Sequence, residues 1–142
     1  AETTSVDISK SFLQRGRRNF ELNALPLEQH RFIAEDVPTY LRRLAKRGVS
    51  FDAIILDPPT FGRGGSGKTF RVERDFAALL DDALQLARPG AAILLSTNFS
   101  EWTGDRLAKD ALRLVPAATT RKIPAPLDFF GNPPSATVWL HV

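Results

Sequence analysis

The 142 residues contain no cysteine. Disulfides, thiolate metal sites and cysteine nucleophiles are excluded with it. Histidine is scarce: His30 and His141 are the only two, too few and too isolated to suggest a zinc site, so no metal is expected. No apolar run approaches the roughly 20 residues that cross a bilayer, and no membrane partner is expected. The first residues have neither the basic start nor the apolar stretch of a secretory signal, so the expected location is cytoplasmic. Internal repeats and low-complexity segments are also missing. What is present fits one globular domain with one core, at 43% hydrophobic and 25% charged residues. A net charge of +3 permits a nucleic-acid partner without demanding one.

The most informative stretch is Phe51-Asp-Ala-Ile-Ile-Leu-Asp-Pro-Pro-Thr-Phe61. Its apolar run predicts a central strand buried on both faces. Pro58 and Pro59 cannot donate to a ladder, so the strand stops at Asp57 and leaves a carboxylate at its carboxyl end. In open α/β sheets that end is where ligands bind.

The rest of the chain alternates. A β-branched strand, Thr3 to Ile8, precedes a helix capped by Ser9 and running to about Ala24. Phe12, Leu13, Phe20 and Ala24 form its apolar face. Lys10, Arg15, Arg17 and Arg18 form a basic face that reads as a solvated surface. A strand, His30 to Ala34, leads to Glu35-Asp36 and a helix with Pro38 in its first turn, closed by Gly48. After the Asp57 strand comes a glycine-rich loop, Gly62 to Thr69. A helical pattern then extends from Val72 to Ala87 and stops at Arg88-Pro89-Gly90. A buried strand, Ala91 to Thr97, a helix from about Thr103 to Val115, and strands at Ala118–Ile123 and Ala136–Val142 complete the chain. This pattern predicts a doubly wound α/β sheet, mostly parallel, with an antiparallel C-terminal edge strand.

Asp7, Asp36 and Asp57 each follow a strand, which places them along one rim of a parallel sheet. An acid in that position commonly accepts hydrogen bonds from ribose hydroxyls. Each also has a plainer reading as a helix cap or turn residue. Asp57 fits that reading least, because two prolines follow it.

Asp57-Pro58-Pro59-Thr60-Phe61 resembles motif IV of class I S-adenosylmethionine-dependent methyltransferases. The order of elements is similar, more closely, to the large-subunit ribosomal RNA base methyltransferases. Like them the chain has Arg74-Asp75 on the following helix, a Pro-Gly turn and a Ser96-Thr97-Asn98 exit loop. Its tail, with Pro126-Leu127-Asp128-Phe129, Asn132-Pro133 and Trp139-Leu140, is also similar. The resemblance implies a Rossmann-like sheet and S-adenosyl-L-methionine as cofactor. It also implies that Asp7 binds the cofactor ribose, that Asp36 and Val37 contact its adenine, and that Asp57, Pro58 and Pro59 line the transfer site. RNA is the implied partner. In that family a first strand and its glycine-rich loop precede the position of Asp7, and the strand lies between those of Asp7 and Asp57. The chain is therefore expected to lack the first strand of its sheet and to be the carboxyl-terminal part of a longer protein.

Family members that methylate cytosine C5 carry a cysteine on the exit loop, which here reads Ser96-Thr97-Asn98-Phe99-Ser100. C5 is a poor nucleophile and needs prior attack by a thiolate, so that route is excluded. Direct transfer to a base nitrogen remains. Guanine N7 needs positioning and desolvation, whereas an exocyclic amine would donate to Asp57 and the Pro58 carbonyl. Phe61 or Phe99 either stacks on a flipped base or packs in the core. Gly62 to Thr69 also matches the phosphate-cradling pattern G-x-x-x-x-G-K-[ST]. Two prolines separate it from its strand, and the later strand, Ala91 to Thr97, ends without an acid, which argues against a nucleotide hydrolase. The loop reads instead as a lid, with Arg63, Lys68, Arg71 and Arg74 touching RNA phosphate and Asn98 near the substrate. A non-catalytic RNA-binding module is the other alternative.

Overall fold

Three helices start where a side-chain oxygen can cap them. Ser9, Asp36 and Thr103 accept the N–H groups of Phe12, Thr39 and Arg106, each three residues on. Those caps set the framework of a computed structural model that describes residues 1–63, 69–124 and 135–142. Its elements run β1 (Thr3–Asp7), α1 (Lys10–Leu22), a 3-10 turn (Leu27–Gln29), β2 (His30–Ala34), α2 (Val37–Lys46) and β3 (Phe51–Leu56). They continue with β4 (Phe61–Arg63), β5 (Thr69–Arg71), α3 (Val72–Leu84), β6 (Ala87–Thr97), α4 (Gly104–Leu114), β7 (Thr119–Lys122) and β8 (Ala136–His141).

Strands β1 and β2 pair in parallel as a two-stranded sheet, and β3, β6, β8 and β7 form a four-stranded one in that order. Strands β3 and β6 are parallel, while β8 runs antiparallel to both β6 and β7. The antiparallel C-terminal strand therefore lies inside the sheet and β7 takes its edge. Strands β4 and β5 form a small hairpin around the glycine-rich loop, an element the sequence pattern does not predict. Gly62 permits its close approach, since a Cβ there would sit 3.2 Å from Pro59 Cγ.

One core joins the two larger sheets. Tyr40, Leu41 and Leu44 of α2, five residues of α3 and Leu107 and Ala111 of α4 pack with Leu56, Ile93, Leu95, Val138 and Leu140. Val6 and Ile33 of the first sheet touch the same cluster. Helix α1 packs on the other face of β2, with Phe20 edge-on to Phe32 at 5.4 Å. Helices thus flank the β1–β2 sheet on both sides, as a doubly wound arrangement requires.

Strand β3 corrects the expectation of a strand buried on both faces. It is an edge strand, with Leu56 buried and Ile55 69% exposed. Neither β1 nor β3 has a partner among the described residues on its second edge. The face that carries Ile55 continues in register through Leu94 to Trp139 and is less deeply covered than the face of Ile93 and Leu140. Smaller corrections have local causes. Phe12 is 61% exposed, because it lies about 100° around α1 from the inward-facing Leu13. Helix α1 ends at Leu22, and Ala24 takes a positive φ of 52°. Helix α3 ends at Leu84, and Arg88-Pro89-Gly90 belongs to β6. Pro89 and Gly90 are tolerated there because they lie where the β3–β6 register shifts.

Candidate functional site

Asp7 is the last residue of β1 and half-buried. Its Oδ1 accepts the Ser9 N–H at 2.6 Å, which fixes the carboxylate beside the start of α1. Asp36, just past β2, is the cap of α2. Its Oδ1 accepts both the Thr39 N–H at 3.1 Å and the Thr39 hydroxyl at 2.6 Å. The plainer reading of Asp36 is thus realised, and its Oδ2 has no partner among the described residues. Glu35 beside it is held by Arg43 through paired contacts of 2.5 and 2.6 Å. Val37 is half-buried against the core at the first position of α2. Asp7 pairs in register with Ala34, so Asp7 and Asp36 share the carboxyl end of one parallel pair.

Asp57 occupies the corresponding place on the second parallel pair, one residue past Leu56. It is exposed, and no described residue hydrogen-bonds its carboxylate. Pro58 is half-buried and Pro59 exposed, and they stiffen the exit. The next residue was not singled out from the sequence. The Thr60 hydroxyl donates to Asn98 Oδ1 at 2.7 Å, tying the loop after β3 to the loop after β6. With its oxygen engaged, Asn98 presents its amide N–H groups as donors. The backbone carbonyl of Thr60 also accepts the Val72 N–H at 3.1 Å, so the same residue anchors the start of α3.

The two aromatic candidates separate. Phe61 is 55% exposed, with the Arg71 guanidinium 5.7 Å from its ring centroid. Phe99 packs edge-on against Trp102 at 6.1 Å, beside the core. The basic candidates separate too. The Arg74 guanidinium makes two 2.8 Å bonds to Asp75 and a further one to the Thr69 carbonyl. Its contacts are therefore local ones that join β5 to α3. Together with the Arg71 N–H, Arg74 holds the Asp75 carboxyl below its ordinary pKa. Lys68, the side chain of Arg63, and the tail motifs from Pro126 to Pro134 lie outside the described residues.

The glycine-rich loop does not run into a helix. Thr69 belongs to β5, and α3 begins only at Val72. A phosphate-cradling P-loop instead places its Lys-Ser/Thr pair at a helix start. A depression of about 370 Å³ between α2 and α3 is lined by Arg42, Ala45, Lys46, Asp82 and Gln85. It contains none of the candidate residues. Among the described residues, no cluster of three or more His, Asp or Glu is placed to hold a metal. No described helix is long and apolar enough to cross a membrane.

Two parallel pairs, each ending in an acid, form the frame into which comparison with known proteins fits. Residues 1–139 match the S-adenosylmethionine-dependent methyltransferase family. The ribosomal RNA large subunit methyltransferase K/L of Syntrophotalea carbinolica is 34% identical over 142 residues, 98% of this chain. That of Shewanella loihica is 36% identical over 138 residues, 96% of this chain. In both cases the chain spans only 19% of the relative's length. Among solved structures, SMU.776 in complex with SAH has a TM-score of 0.83 at 24% identity, covering 98% of this chain and 38% of its own. The SAM-dependent methyltransferase from Agrobacterium tumefaciens has a TM-score of 0.80 at 25% identity, covering 99% of this chain and 48% of its own.

Proposed function

This chain belongs to the S-adenosylmethionine-dependent methyltransferase family, and from that premise we propose that it is the cofactor- and base-binding part of an RNA methyltransferase. The two relatives named above act, by their names, on large-subunit ribosomal RNA, which supports the same substrate class here. The observation that carries the reading is Asp57: an exposed carboxylate with no partner among the described residues, at the end of β3 and braced by two prolines.

The donor set fits the cofactor. Asp7 and Asp36 each spend one oxygen on a turn or cap and keep the other, as acceptors of ribose hydroxyls or an adenine amine must. Val37 supplies an apolar contact beside them. S-adenosylmethionine, when bound, supplies an electrophilic methyl carbon. Asp57 and the Pro58 carbonyl orient the accepting base nitrogen, and Asn98 offers donors on the same side. Phe61 supplies an open aromatic face on which an extruded base stacks. With no cysteine in the chain, transfer proceeds by direct displacement rather than through a covalent base adduct.

The domain is read as partial. The unpaired edges of β1 and β3 and the exposure of Ile55 support a parallel strand between them, supplied by a segment outside these residues. Asp57→Ala in the intact protein tests the site. Methyl transfer to ribosomal RNA is expected to fall by about 10²-fold or more, with cofactor affinity changed little. Undiminished turnover would remove Asp57 from the role.

A further inference from the structure

The basic face of α1 has more to explain than a solvated surface. Four bases and one acid give this helix a charge of +3, equal to that of the whole chain, so the remaining residues balance. On the other helices the arginines meet acids. Arg42 pairs with Asp82, Arg43 with Glu35, Arg74 with Asp75, and both Arg106 and Arg113 with Asp110. On α1, Lys10, Arg15, Arg17 and Arg18 are all exposed and pair with no acid among the described residues. Lys10 also stands in the first turn, and that turn contains no acid. Cations there oppose the helix dipole and lower helix stability. The arrangement is therefore not one that the helix needs for itself.

The same helix carries one aromatic ring that the fold leaves uncovered. Phe12 is 61% exposed and lies under the Arg15 guanidinium at 5.7 Å. Arg17 lies over the Phe32 ring at 4.9 Å. Arg15 and Arg18 are three residues apart on the side opposite Leu13, which is the buried residue of the helix. Unpaired guanidinium groups beside an open aromatic ring match the chemistry of a nucleic acid, with phosphates for the cations and a base face for the ring. They match a lipid surface poorly, because the apolar side of α1 is already committed to β2 through Phe20 and Phe32.

We propose that the Phe12–Arg15–Arg18 face of α1 is an RNA-docking surface, holding phosphates of the strand that flanks the target base. This rests on the RNA methyltransferase reading above. Helix α1 begins three residues after Asp7 and is fixed to it through Ser9, so the surface starts at the rim that carries the site. It holds backbone phosphates without reading sequence.

The test compares the intact protein with its Arg15→Gln/Arg18→Gln variant. Binding to deproteinised large-subunit ribosomal RNA is followed across a KCl series, with cofactor affinity, melting temperature and methyl transfer measured in parallel. The expected result is about a tenfold or greater rise in Kd and a salt slope shallower by about 1.5, two phosphate contacts' worth. Cofactor affinity and melting temperature stay close to those of the parent, and Arg15→Lys/Arg18→Lys keeps the parental slope. If the parent binds and methylates RNA and the glutamine variant shows the same Kd and slope, the docking surface is refuted and the enzyme reading stands. If the parent neither binds nor methylates RNA, the reading beneath it fails as well. Equal loss of binding to phosphatidylglycerol vesicles, with RNA binding unchanged, would reassign the face to membranes.

Discussion

Helices α1 and α3 are each thirteen residues long, and they are built for different neighbours. Helix α3 buries Val72, Phe76, Leu80 and Ala83 to 2% exposure or less. Helix α1 buries Leu13 alone, and only to 8%. The contrast extends to the sheets beneath them. Strand β6 has partners on both edges, whereas β1 and β3 each have one among the described residues. The part of the chain around β6 carries the core, and α1 carries four bases with no acid partner among the described residues. Low burial and unbalanced charge coincide on α1 because a surface kept for a partner cannot also be packed within the domain.

That contrast breaks most visibly in the core. Phe76→Ala removes a 2% exposed ring that packs against Trp102 at 5.4 Å, and a loss of about 3–5 kcal/mol is expected. Leu13→Ala removes a side chain covered from one side only, and the expected loss is near 2 kcal/mol, at the low end for such changes. Urea denaturation of both variants gives the comparison directly. Equal losses would mean that α1 is as tightly packed as α3, and the reading of its free face would weaken with that result.

Ile55 sharpens the comparison. At 69% exposure, Ile55→Ala is expected to change the stability of residues 1–142 by no more than about 0.5 kcal/mol. In the protein with its natural flanking sequence, a strand beside β3 would place a neighbouring side chain against Ile55 on the same face, and the same change is expected to cost more, about 1 kcal/mol. Two small and equal values would leave the β1–β3 gap open in the intact protein and dismiss the proposed strand.

The same contrast explains what the residues disclosed in advance. Ser9 and Gly48 act on near neighbours in the chain, and their cap and stop are readable from spacing alone, whereas spacing leaves Asp36 open between a cap and a ligand contact. Asp57-Pro58-Pro59 was readable because two prolines end a strand wherever it lies in a sheet. The burial of β3 was misread because an apolar run specifies a strand but not how many neighbours cover it. The Thr60–Asn98 bond spans 38 residues of sequence, and no local signal predicts which side chains two loops bring together. The β4–β5 hairpin is three residues on each side, too short for alternation to register. The charge on α1 was visible from the start. Its lack of acid partners among the described residues becomes visible only beside the arginines of the other helices, which have theirs.

The smallest expected effect lies at Asp75, in the seam between the glycine-rich loop and the packed core. Helix α3 has no side-chain cap at Arg71. Instead Asp75 reaches back to the Arg71 N–H at 2.8 Å while it holds the Arg74 guanidinium. The Arg74 contact first, and the Arg71 N–H second, hold the Asp75 carboxyl below its ordinary value of 3.8. A carboxyl depressed in the folded state stabilises that state at neutral pH. The contribution disappears as pH falls through the lowered value. The Arg71 amide resonance is therefore expected to titrate with a midpoint below 3.8, and the titration should vanish in Asp75→Asn. The substitution is expected to change overall stability little, since the pair faces solvent. A midpoint at or above the ordinary value, or a titration that persists in the variant, would show that Arg71 is held by some other group and that α3 is not anchored through Asp75.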